Sequence, residues 1–516
     1  MPLATTNNAN RKKPSDRESA ANGNRKATDQ SHPSVQYLSM AVLDRYATFA
    51  SNYTASKRMD FKTIIEPFRI KTVERIRLTT PQEREAFLQN AHFNPFLLRS
   101  EQVIIDLLTD SGTSAMSSEQ WAGIMRGDES YAGASSWLRM EKAVQDLTGY
   151  PYVLPTHQGR AAEHLLYSRI GGPGKIFISN THFDTTRANI EFTGATAIDL
   201  PIPENRNPAL LHPFKGNLDT GQLLEKIVQF GAENIAAVIL TVTNNSGGGQ
   251  PVSLQNAREV AEICQKHAIR FILDACRIAE NAWFIKHRES GFENATYREI
   301  AQQMFALADG CIMSAKKDAL VNMGGFLALL DLDLAVQCRT VLIITEGYST
   351  YGGLSGRDME AIAIGLEEVF DPDYLQYRIK STEYLAEKLH ALGVPIMRPA
   401  GGHAVYIDAR AFYPDIPLEQ YPGQVMVCEL YRLGGIRCCE IGSVMFGKYD
   451  AEGKLIPAAM DLVRLAIPRR VYTQSHIDYV VETFGELVRH RDKKTGYRIT
   501  YEPPFLRHFT ARFEIA

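Results

Sequence analysis

Short apolar runs alternate with amphipathic stretches through the central part of the chain. Five of the runs are continuous and rich in branched aliphatic side chains, which is typical of buried β-strands. They are residues 175–179, 236–242, 271–274, 310–314 and 326–330. Residues 254–268 place apolar side chains on one helical face, and Ser253 before them is a suitable N-cap. This alternation predicts a mostly parallel sheet with helices on both faces.

The C-terminal part of the chain has a different pattern. Residues 374–393 form a long helical stretch, and residues 401–410 and 461–470 are typical of strands in a second, smaller sheet. We therefore predict an α/β protein with a large, doubly wound domain over residues 112–372. A smaller α+β domain would combine residues 58–111 with residues 373–516.

The N-terminal region lacks the apolar residues that a folded core needs. Residues 1–35 are rich in Asn, Ser, Lys and Arg, which predicts a disordered tail. A transit peptide is the alternative, although Asp16, Glu18 and Asp29 argue against it. Residues 36–58 have some helical periodicity and are interpreted as an arm that docks on the body or on a second subunit. We expect the tail and arm together to span residues 1–57.

Composition excludes several classes of function. The chain has 516 residues, and its 56 Lys and Arg nearly balance 59 Asp and Glu, so we expect neither a nucleic-acid nor a membrane partner. No apolar run reaches the roughly 18 residues of a spanning helix. Seven cysteines without CxxC spacing predict free thiols in a reducing compartment, and the 13 histidines show no zinc spacing. These features are those of a globular, cytoplasmic protein.

Candidate chemistry lies directly after the predicted strands, where open α/β sheets bind their ligands. Lys317 follows the strand at 310–314, and a desolvated lysine there is a possible Schiff-base nucleophile; two solvated lysines in a surface turn are the alternative. Asp274 ends another strand and is suited to hold a pyridinium nitrogen, or else to cap the next helix.

A third element opens a predicted helix. Gln158, Gly159 and Arg160 would direct backbone N–H groups, a guanidinium and the helix dipole at a phosphate, although alone they could be an ordinary helix start. A phosphate cradle, a pyridinium partner and a lysine are together the parts that a pyridoxal phosphate (PLP) enzyme needs. The combination therefore indicates PLP chemistry more strongly than any single element.

Longer motifs connect the chain to a known family. The segments MRGDESYAG, PTHQGR, GGQPVS, RIAENAWFIK, MSAKKDALVNMGGF, YGGLSGRDMEA, GGHAVYIDAR, RLAIPRRVYT and YEPPFLRHFTARF resemble the β-eliminating lyases, whose members split tryptophan or tyrosine. The resemblance runs from about residue 62 to the C-terminus. It implies the aspartate aminotransferase-like fold (PLP fold type I), a homotetramer, PLP and an activating potassium ion.

The resemblance assigns cofactor roles residue by residue. Lys317 would carry the Schiff base and move the α-proton, and Asp274 would pair with the pyridine nitrogen. Arg277 and Asn245 would lie near the phenolic oxygen of the cofactor. The phosphate would be bound by Gln158, Gly159, Arg160, Ser314 and Lys316. Phe183 would stack on the ring, whereas without the resemblance it is simply a core aromatic.

The resemblance also assigns substrate and metal residues. Arg464 would bind the substrate carboxylate with help from Thr109, and Tyr131 would protonate the ring carbon of the leaving group. On their own, Arg464 could be a surface charge and Tyr131 a packing residue. Potassium would be held by Glu129 and the backbone of Gly112 and Asn322, an oxygen set that suits a hard cation.

Three separated positions bear on the leaving group. Phenol-releasing members have an arginine at the position of Ile441. They have a threonine at the position of Asp184 and a phenylalanine at the position of His508. Loss of a donor for a substrate hydroxyl disfavours phenol strongly, so the resemblance implies that L-tryptophan and water give indole, pyruvate and ammonia. Asp184 and His508 would assist proton movement at the indole ring. Taken one at a time, Ile441 could be a core residue, Asp184 a helix cap and His508 a histidine with its hydrogen bonds satisfied.

Residues 131–140 depart from the family pattern. They lack an arginine and carry Trp137 where smaller aromatic residues are usual, which could reshape the substrate mouth or a subunit contact. Three rival hypotheses stay open: a lyase for phenol or cysteine-type leaving groups, a non-catalytic homologue, and an aminotransferase. The aminotransferase would not explain the potassium residues or the pairing of Asp184 with His508.

Overall fold

The computed structural model describes residues 63–516, which form one compact unit. The tail and arm predicted over residues 1–57 lie outside the described residues. No helix within residues 63–516 is long and apolar enough to cross a membrane.

Sixteen helices and sixteen strands make up the described chain. The strands are β1 Ile105–Asp106, β2 Tyr152–Thr156, β3 Ile176–Ser179, β4 Thr196–Asp199, β5 Ile235–Thr241, β6 Phe271–Asp274, β7 Gly310–Met313, β8 Gly325–Leu329, β9 Ala404–Asp408, β10 Ile436–Arg437, β11 Cys439–Ile441, β12 Lys448–Tyr449, β13 Leu455–Ile456, β14 Leu462–Ala466, β15 Tyr497–Tyr501 and β16 Arg512–Ile515. The helices are α1 Pro81–Asn90, α2 Ser118–Arg126, α3 Ser135–Thr148, α4 Gly159–Ile170, α5 Asp184–Phe192, α6 Thr220–Phe230, α7 Leu254–Lys266, α8 Ile278–Arg288, α9 Tyr297–Phe305, α10 Leu332–Thr345, α11 Gly356–Glu368, α12 Pro372–Ala391, α13 Ala409–Phe412, α14 Pro422–Gly434, α15 Ser443–Phe446 and α16 Gln474–Arg489.

Seven strands form the large sheet in the order β2-β8-β7-β6-β5-β3-β4. All of them run in one direction except β8, which is antiparallel to both of its neighbours. The five strands predicted from apolar runs are confirmed, and so is the cap on α7, because the Ser253 side chain accepts from the backbone N–H of Asn256. The mostly parallel sheet predicted from the alternation is therefore present.

The two edge strands of this sheet, β2 and β4, were not predicted from the pattern of apolar residues. The first, β2, contains Pro155, which cannot donate to a strand partner and so argues against a strand. It is tolerated because β2 lies at the edge of the sheet. The strand at the opposite edge, β4, is short and only partly buried, so it lacks a continuous apolar run.

Each face of the large sheet buries its own core. Along β5, Val238 and Leu240 pack into one apolar cluster, whereas Ala237 and Ile239 pack into another. Side chains alternate between the two faces of a strand, so a run that is apolar at every position is buried on both sides. Helices cover both faces, which leaves the ends of the strands as the surface available for a ligand.

A smaller antiparallel sheet joins β11, β14 and β9 in that order. Val463 and Ile407 pair in register on it and belong to a separate apolar core, which also includes side chains of α12, α14 and α16. The strands predicted at 401–410 and 461–470 and the helix at 374–393 are confirmed. The domain boundaries at residues 112 and 372 stay a prediction, since residues 63–516 form one compact unit.

Candidate active site

Polar side chains converge at one edge of the large sheet. The strands β2, β3, β5, β6 and β7 share a direction, so their carboxyl ends meet at the same edge. The segments that follow them carry the predicted residues Gln158, Asp184, Asn245, Asp274 and Lys317. This edge is therefore the candidate site, and the segments after β2 and β7 form its first part.

The segments after β2 and β7 build an anion cradle. Helix α4 begins at Gly159, where a Cβ atom would lie 2.7 Å from the Cβ of Ser314, so only glycine allows this close approach. Lys316 Nζ donates to Gln158 Oε1 at 3.3 Å. Burial lowers the pKa of Lys316, and the nearby charges of Lys317 and Arg160 lower it further. Clustered cations at a helix N-terminus fit a phosphate group.

Asp274 and Lys317 face the same half-buried thiol, that of Cys276, from neighbouring strand ends. Burial raises the pKa of Cys276 to about 12; the Asp274 carboxylate adds to the shift and Lys317 opposes it. The N-terminus of α8 is satisfied by Asp318, whose Oδ2 accepts from the Ala279 N–H at 2.7 Å. Asp274 Oδ1 accepts from the Cys276 N–H at 3.4 Å, ahead of the helix, so the interpretation of Asp274 as the cap of that helix is wrong.

Arg464 lies in a buried pocket, so the surface-charge alternative is wrong. Its side chain is only 5% exposed. Nη1 donates to Asn245 Oδ1 at 3.0 Å and Nη2 donates to the Leu108 carbonyl at 3.1 Å, whereas Nε has no partner among the described residues. The guanidinium carbon lies 6.0 Å from the ring centre of Phe183. A buried guanidinium with an unused N–H is suited to bind a carboxylate.

Asp184 and His508 meet although 324 positions separate them in the numbering of the chain. His508 Nε2 lies 2.9 Å from Asp184 Oδ2, and both side chains are buried. Within residues 63–516 Asp184 is the charged group that meets the His508 ring, and Nδ1 has no hydrogen-bond partner. Ile441 lies on the same face of β11 as Cys439, the strand partner of Arg464. Ile441 is buried in a small apolar cluster that also contains Cys439 and Leu462, as expected if it is a core isoleucine.

Comparison with known proteins identifies the family. The model described as beta-eliminating lyase matches residues 106–483. The chain belongs to the β-eliminating lyase family. The lyase is similar to a tryptophanase of Hyphomonas neptunium, with 59% identity over 88% of this chain and 99% of that relative. A tyrosine phenol-lyase of Pasteurella multocida is 49% identical over 87% of this chain and 98% of its own length. The predicted enzyme class is confirmed.

A solved structure supports the fold of the lyase. The serine palmitoyltransferase of Sphingomonas wittichii superposes with a TM-score of 0.52 at 13% identity and covers 80% of this chain and 96% of its own. At that identity the likeness concerns the fold alone. It confirms the predicted PLP fold type I.

Two site residues of the lyase were missed from sequence. Tyr406 donates its hydroxyl to Asn245 Oδ1 at 2.8 Å, and His403 Nε2 lies 3.1 Å from the same oxygen. Burial, reinforced by the charge of Arg277, holds the pKa of His403 well below its usual range, so His403 is neutral. Both follow the GG pair of a predicted strand, but only the pairing of β9 with β14 brings them to Arg464.

Arg277 of the lyase lies in a buried ionic cluster. Its Nε and Nη2 donate to the Asp110 carboxylate at 3.0 and 2.7 Å, which leaves Nη1 as the donor for the predicted role beside the cofactor. Arg469 Nη1 donates to the same carboxylate at 3.0 Å, and its Nη2 donates to Glu280 and Asp318 at 2.9 and 3.1 Å. The cluster therefore joins the turn that carries Lys317 to the segment that follows β14.

Replacing Asp110 with alanine is expected to lower the free energy of unfolding by about 3–5 kcal/mol, because the buried guanidinium of Arg277 loses the carboxylate it bonds and that of Arg469 loses one of three. Urea unfolding would measure this loss. The matched control is Asp146→Ala, which removes a carboxylate from an exposed pair with Lys142 and should cost less than about 1 kcal/mol. Equal losses for the two variants would contradict the role given to the cluster.

The potassium residues predicted for the lyase are only partly brought together. Asn322 Nδ2 donates to the Gly112 carbonyl at 3.1 Å, and Gly112 has a φ of +75°, which favours glycine. Glu129 pairs with Arg357 at 2.9 Å on an exposed surface. Thr109, the predicted helper at the substrate carboxylate, is half-buried and follows Leu108, which accepts from Arg464.

Tyr131 of the lyase is 68% exposed but packs against two other tyrosines, so the structure does not exclude the alternative of a packing residue. Its ring stacks on Tyr348 with the ring centres 5.5 Å apart, and it lies 5.2 Å from Tyr351. No hydrogen bond or aromatic contact joins it to Arg464 or Phe183 within residues 63–516.

Trp137, the departure from the family pattern, is buried in the core of the large sheet.

Proposed function

We propose that this lyase converts L-tryptophan and water to indole, pyruvate and ammonia with PLP as cofactor. The pair of Asp184 and His508 carries the proposal. It places a carboxylate and an imidazole within 2.9 Å in a buried position, and no cation stands at residue 441 to meet a phenol oxygen. The relatives named tryptophanase support the same substrate.

The residues at the sheet edge fit PLP. The turn of Gln158, Gly159 and Arg160 with Lys316 and Ser314 would hold the phosphate. Asp274 would pair with the pyridine nitrogen, Phe183 would cover the ring, and Lys317 would make the covalent attachment. Bound PLP acts as an electron sink for negative charge at the α-carbon of an amino acid.

The side chains of the lyase then bind the substrate and move its protons. Arg464 would bind the α-carboxylate through its unused Nε–H and the second N–H of an Nη group, while Asn245 holds the guanidinium and Tyr406 donates to Asn245. Lys317, half-buried after β7, would take the α-proton. Asp184 and His508 would hold and return a proton at the indole ring as the bond to the β-carbon breaks.

Tyr131 requires a second copy of the chain in this proposal. Within residues 63–516 its exposed ring makes no hydrogen bond or aromatic contact with Arg464 or Phe183, so it would donate its proton in the site of a neighbouring subunit. This agrees with the homotetramer implied by the family resemblance. The seven free cysteines, six of them buried, support a reducing cytoplasmic location.

We also propose a potassium ion held by the carbonyl oxygens of Gly112 and Asn322 with Glu129. The close approach of Gly112 and Asn322 supports it. Turnover by the PLP-loaded enzyme should fall severalfold when potassium is replaced by lithium, because the smaller ion fits this oxygen set poorly. Equal turnover in the two salts would remove the ion from the proposal.

The function is tested by product release from purified enzyme loaded with PLP and potassium. Indole from L-tryptophan is measured beside phenol from L-tyrosine and pyruvate from an S-substituted cysteine. We expect indole and no phenol. Phenol alone would overturn the argument from Ile441, and pyruvate from the cysteine substrate alone would make this a lyase for thiol leaving groups.

Arg507 gives a further prediction, because it anchors the turn that carries His508. Its Nε donates to the Val444 carbonyl at 2.6 Å and its Nη2 to the Gly447 carbonyl at 2.9 Å. Replacing Arg507 with methionine should release this turn and lower kcat/KM for tryptophan by about 10–100-fold, the cost of lost hydrogen bonds to a charged group. The value for an S-substituted cysteine, which has no ring to protonate, should change much less. Equal losses for both substrates would contradict this role.

A further inference from the structure

Glu163 joins two helices of the candidate site. It lies one turn into α4, and its side chain is buried. The Thr186 hydroxyl donates to its Oε1, and Asn189 Nδ2 donates to its Oε2 at 3.2 Å. Both donors belong to α5, whose first turn carries Phe183 and Asp184. Glu163 thus connects the helix that begins at the phosphate cradle to the helix that begins at the ring and leaving-group residues.

No cation pairs with Glu163 among the described residues. The titratable groups that face it are acidic: Asp274 from β6, Asp184 from α5 and, one turn farther along α4, the Tyr167 hydroxyl. His508 lies beyond Asp184 and pairs with that carboxylate. Burial, with the charges of Asp274 and Asp184 adding to it and hydrogen bonds from Thr186 and Asn189 opposing it, raises the pKa of Glu163 to about 7.

The hydroxyl of Tyr167 adds an independent observation. It is buried, has no hydrogen-bond partner among the described residues and lies four residues after Glu163, on the same face of α4. A fixed carboxylate beside it would ordinarily accept that hydroxyl. Glu163 and Tyr167 therefore do not form the hydrogen-bonded network that Glu163 would require as a permanent carboxylate beside those of Asp274 and Asp184.

We propose that Glu163 is a positioning residue that works as the neutral acid, holding the first turns of α4 and α5 together while Asp274 and Asp184 keep the negative charge. The inference rests on the proposed function, because the ring and phosphate that those turns would position belong to PLP. In the neutral acid the bond between Oε1 and Thr186 runs in the opposite direction, with the carboxyl donating its proton to the Thr186 oxygen, while Oε2 still accepts from Asn189. The amide of glutamine can form the same two bonds.

The test compares Glu163→Gln, Glu163→Ala and wild type as full-length enzyme loaded with PLP. Thermal stability is followed between about pH 5 and pH 9, and the visible circular dichroism of bound PLP is measured per mole of cofactor as a report of its orientation. Glu191→Gln is the matched control, since Glu191 is an exposed carboxylate on α5, the helix whose side chains donate to Glu163.

We expect Glu163→Gln to be more stable than wild type by roughly 3 °C or more above neutral pH. The sign follows from the raised pKa: between pH 4.5 and about 7 the unfolded carboxyl ionises while the folded one keeps its proton, so only wild type loses stability as pH rises. The gap should open over that range and stay constant above it. The dichroism should persist in Glu163→Gln and fall by at least half in Glu163→Ala, with no change in Glu191→Gln.

Two results would overturn the inference. A stability gap that is equal at every pH would mean that Glu163 does not titrate in this range. Loss of the dichroism in Glu163→Gln to the extent seen in Glu163→Ala would mean that the ionised carboxylate is required. If wild type binds no PLP, the proposed function fails instead, and the stability measurement still decides whether Glu163 is neutral.

Discussion

Turnover of L-tryptophan is expected to fall by about 10⁴-fold when Lys317 is replaced with alanine, because the variant loses both the covalent attachment of PLP and the base for the α-proton. Lys317 is the half-buried lysine at the carboxyl end of β7, and it faces Cys276 together with Asp274. Single-turnover measurements of indole release, at PLP concentrations that saturate the variant, would test the expectation.

The comparison for Lys317→Ala is Lys316→Ala, which removes the neighbouring ammonium. Lys316 contacts Gln158 in the anion cradle, so its loss should raise the dissociation constant of PLP about tenfold, the worth of one charge-assisted hydrogen bond. At saturating PLP its turnover should exceed that of Lys317→Ala by at least about 10²-fold. The reverse order would assign the covalent role to Lys316.

Replacing Arg464 with methionine is expected to lower kcat/KM for tryptophan by about 10²–10⁴-fold, which corresponds to two charge-assisted hydrogen bonds to the substrate carboxylate. The dissociation constant of PLP should change little, because Arg464 bonds Asn245 and Leu108 and none of the residues that would hold the phosphate. Steady-state kinetics and PLP titration of one preparation separate the two effects.

Arg464→Lys distinguishes charge from geometry at this position. An ammonium keeps the charge but cannot form the two-point contact, so kcat/KM should lie between those of wild type and Arg464→Met. Arg498→Met, which removes an exposed arginine from β15, serves as the control for the loss of a guanidinium. A normal kcat/KM in Arg464→Met would show that another group binds the carboxylate.

Some residues of the candidate site could be located from sequence motifs, and others could not. Lys317, Asp274 and Gly159 follow strand ends, so the apolar runs before them already placed them at one edge of a parallel sheet. The choice between capping and ligand binding for Asp274 needed the structure, because Asp318 takes the capping role across a neighbouring strand. His403 and Tyr406 were missed because their contact with Asn245 spans about 160 residues of sequence.

From its residue pattern alone, the sequence predicts the layered α/β fold, the large, mostly parallel sheet and the sheet edge at which to look for a ligand site. It could do so because strand and helix periodicities are local, and parallel strands always bring their carboxyl ends to one edge. The pairing of distant side chains could be seen only in the tertiary structure: Arg464 with Asn245, Asp184 with His508, and Glu163 with Thr186. Such contacts depend on how whole elements pack, and no periodicity along the chain encodes that packing. The same packing removes these groups from water, which is why burial could raise the pKa of Glu163 in a helix that looked ordinary in sequence.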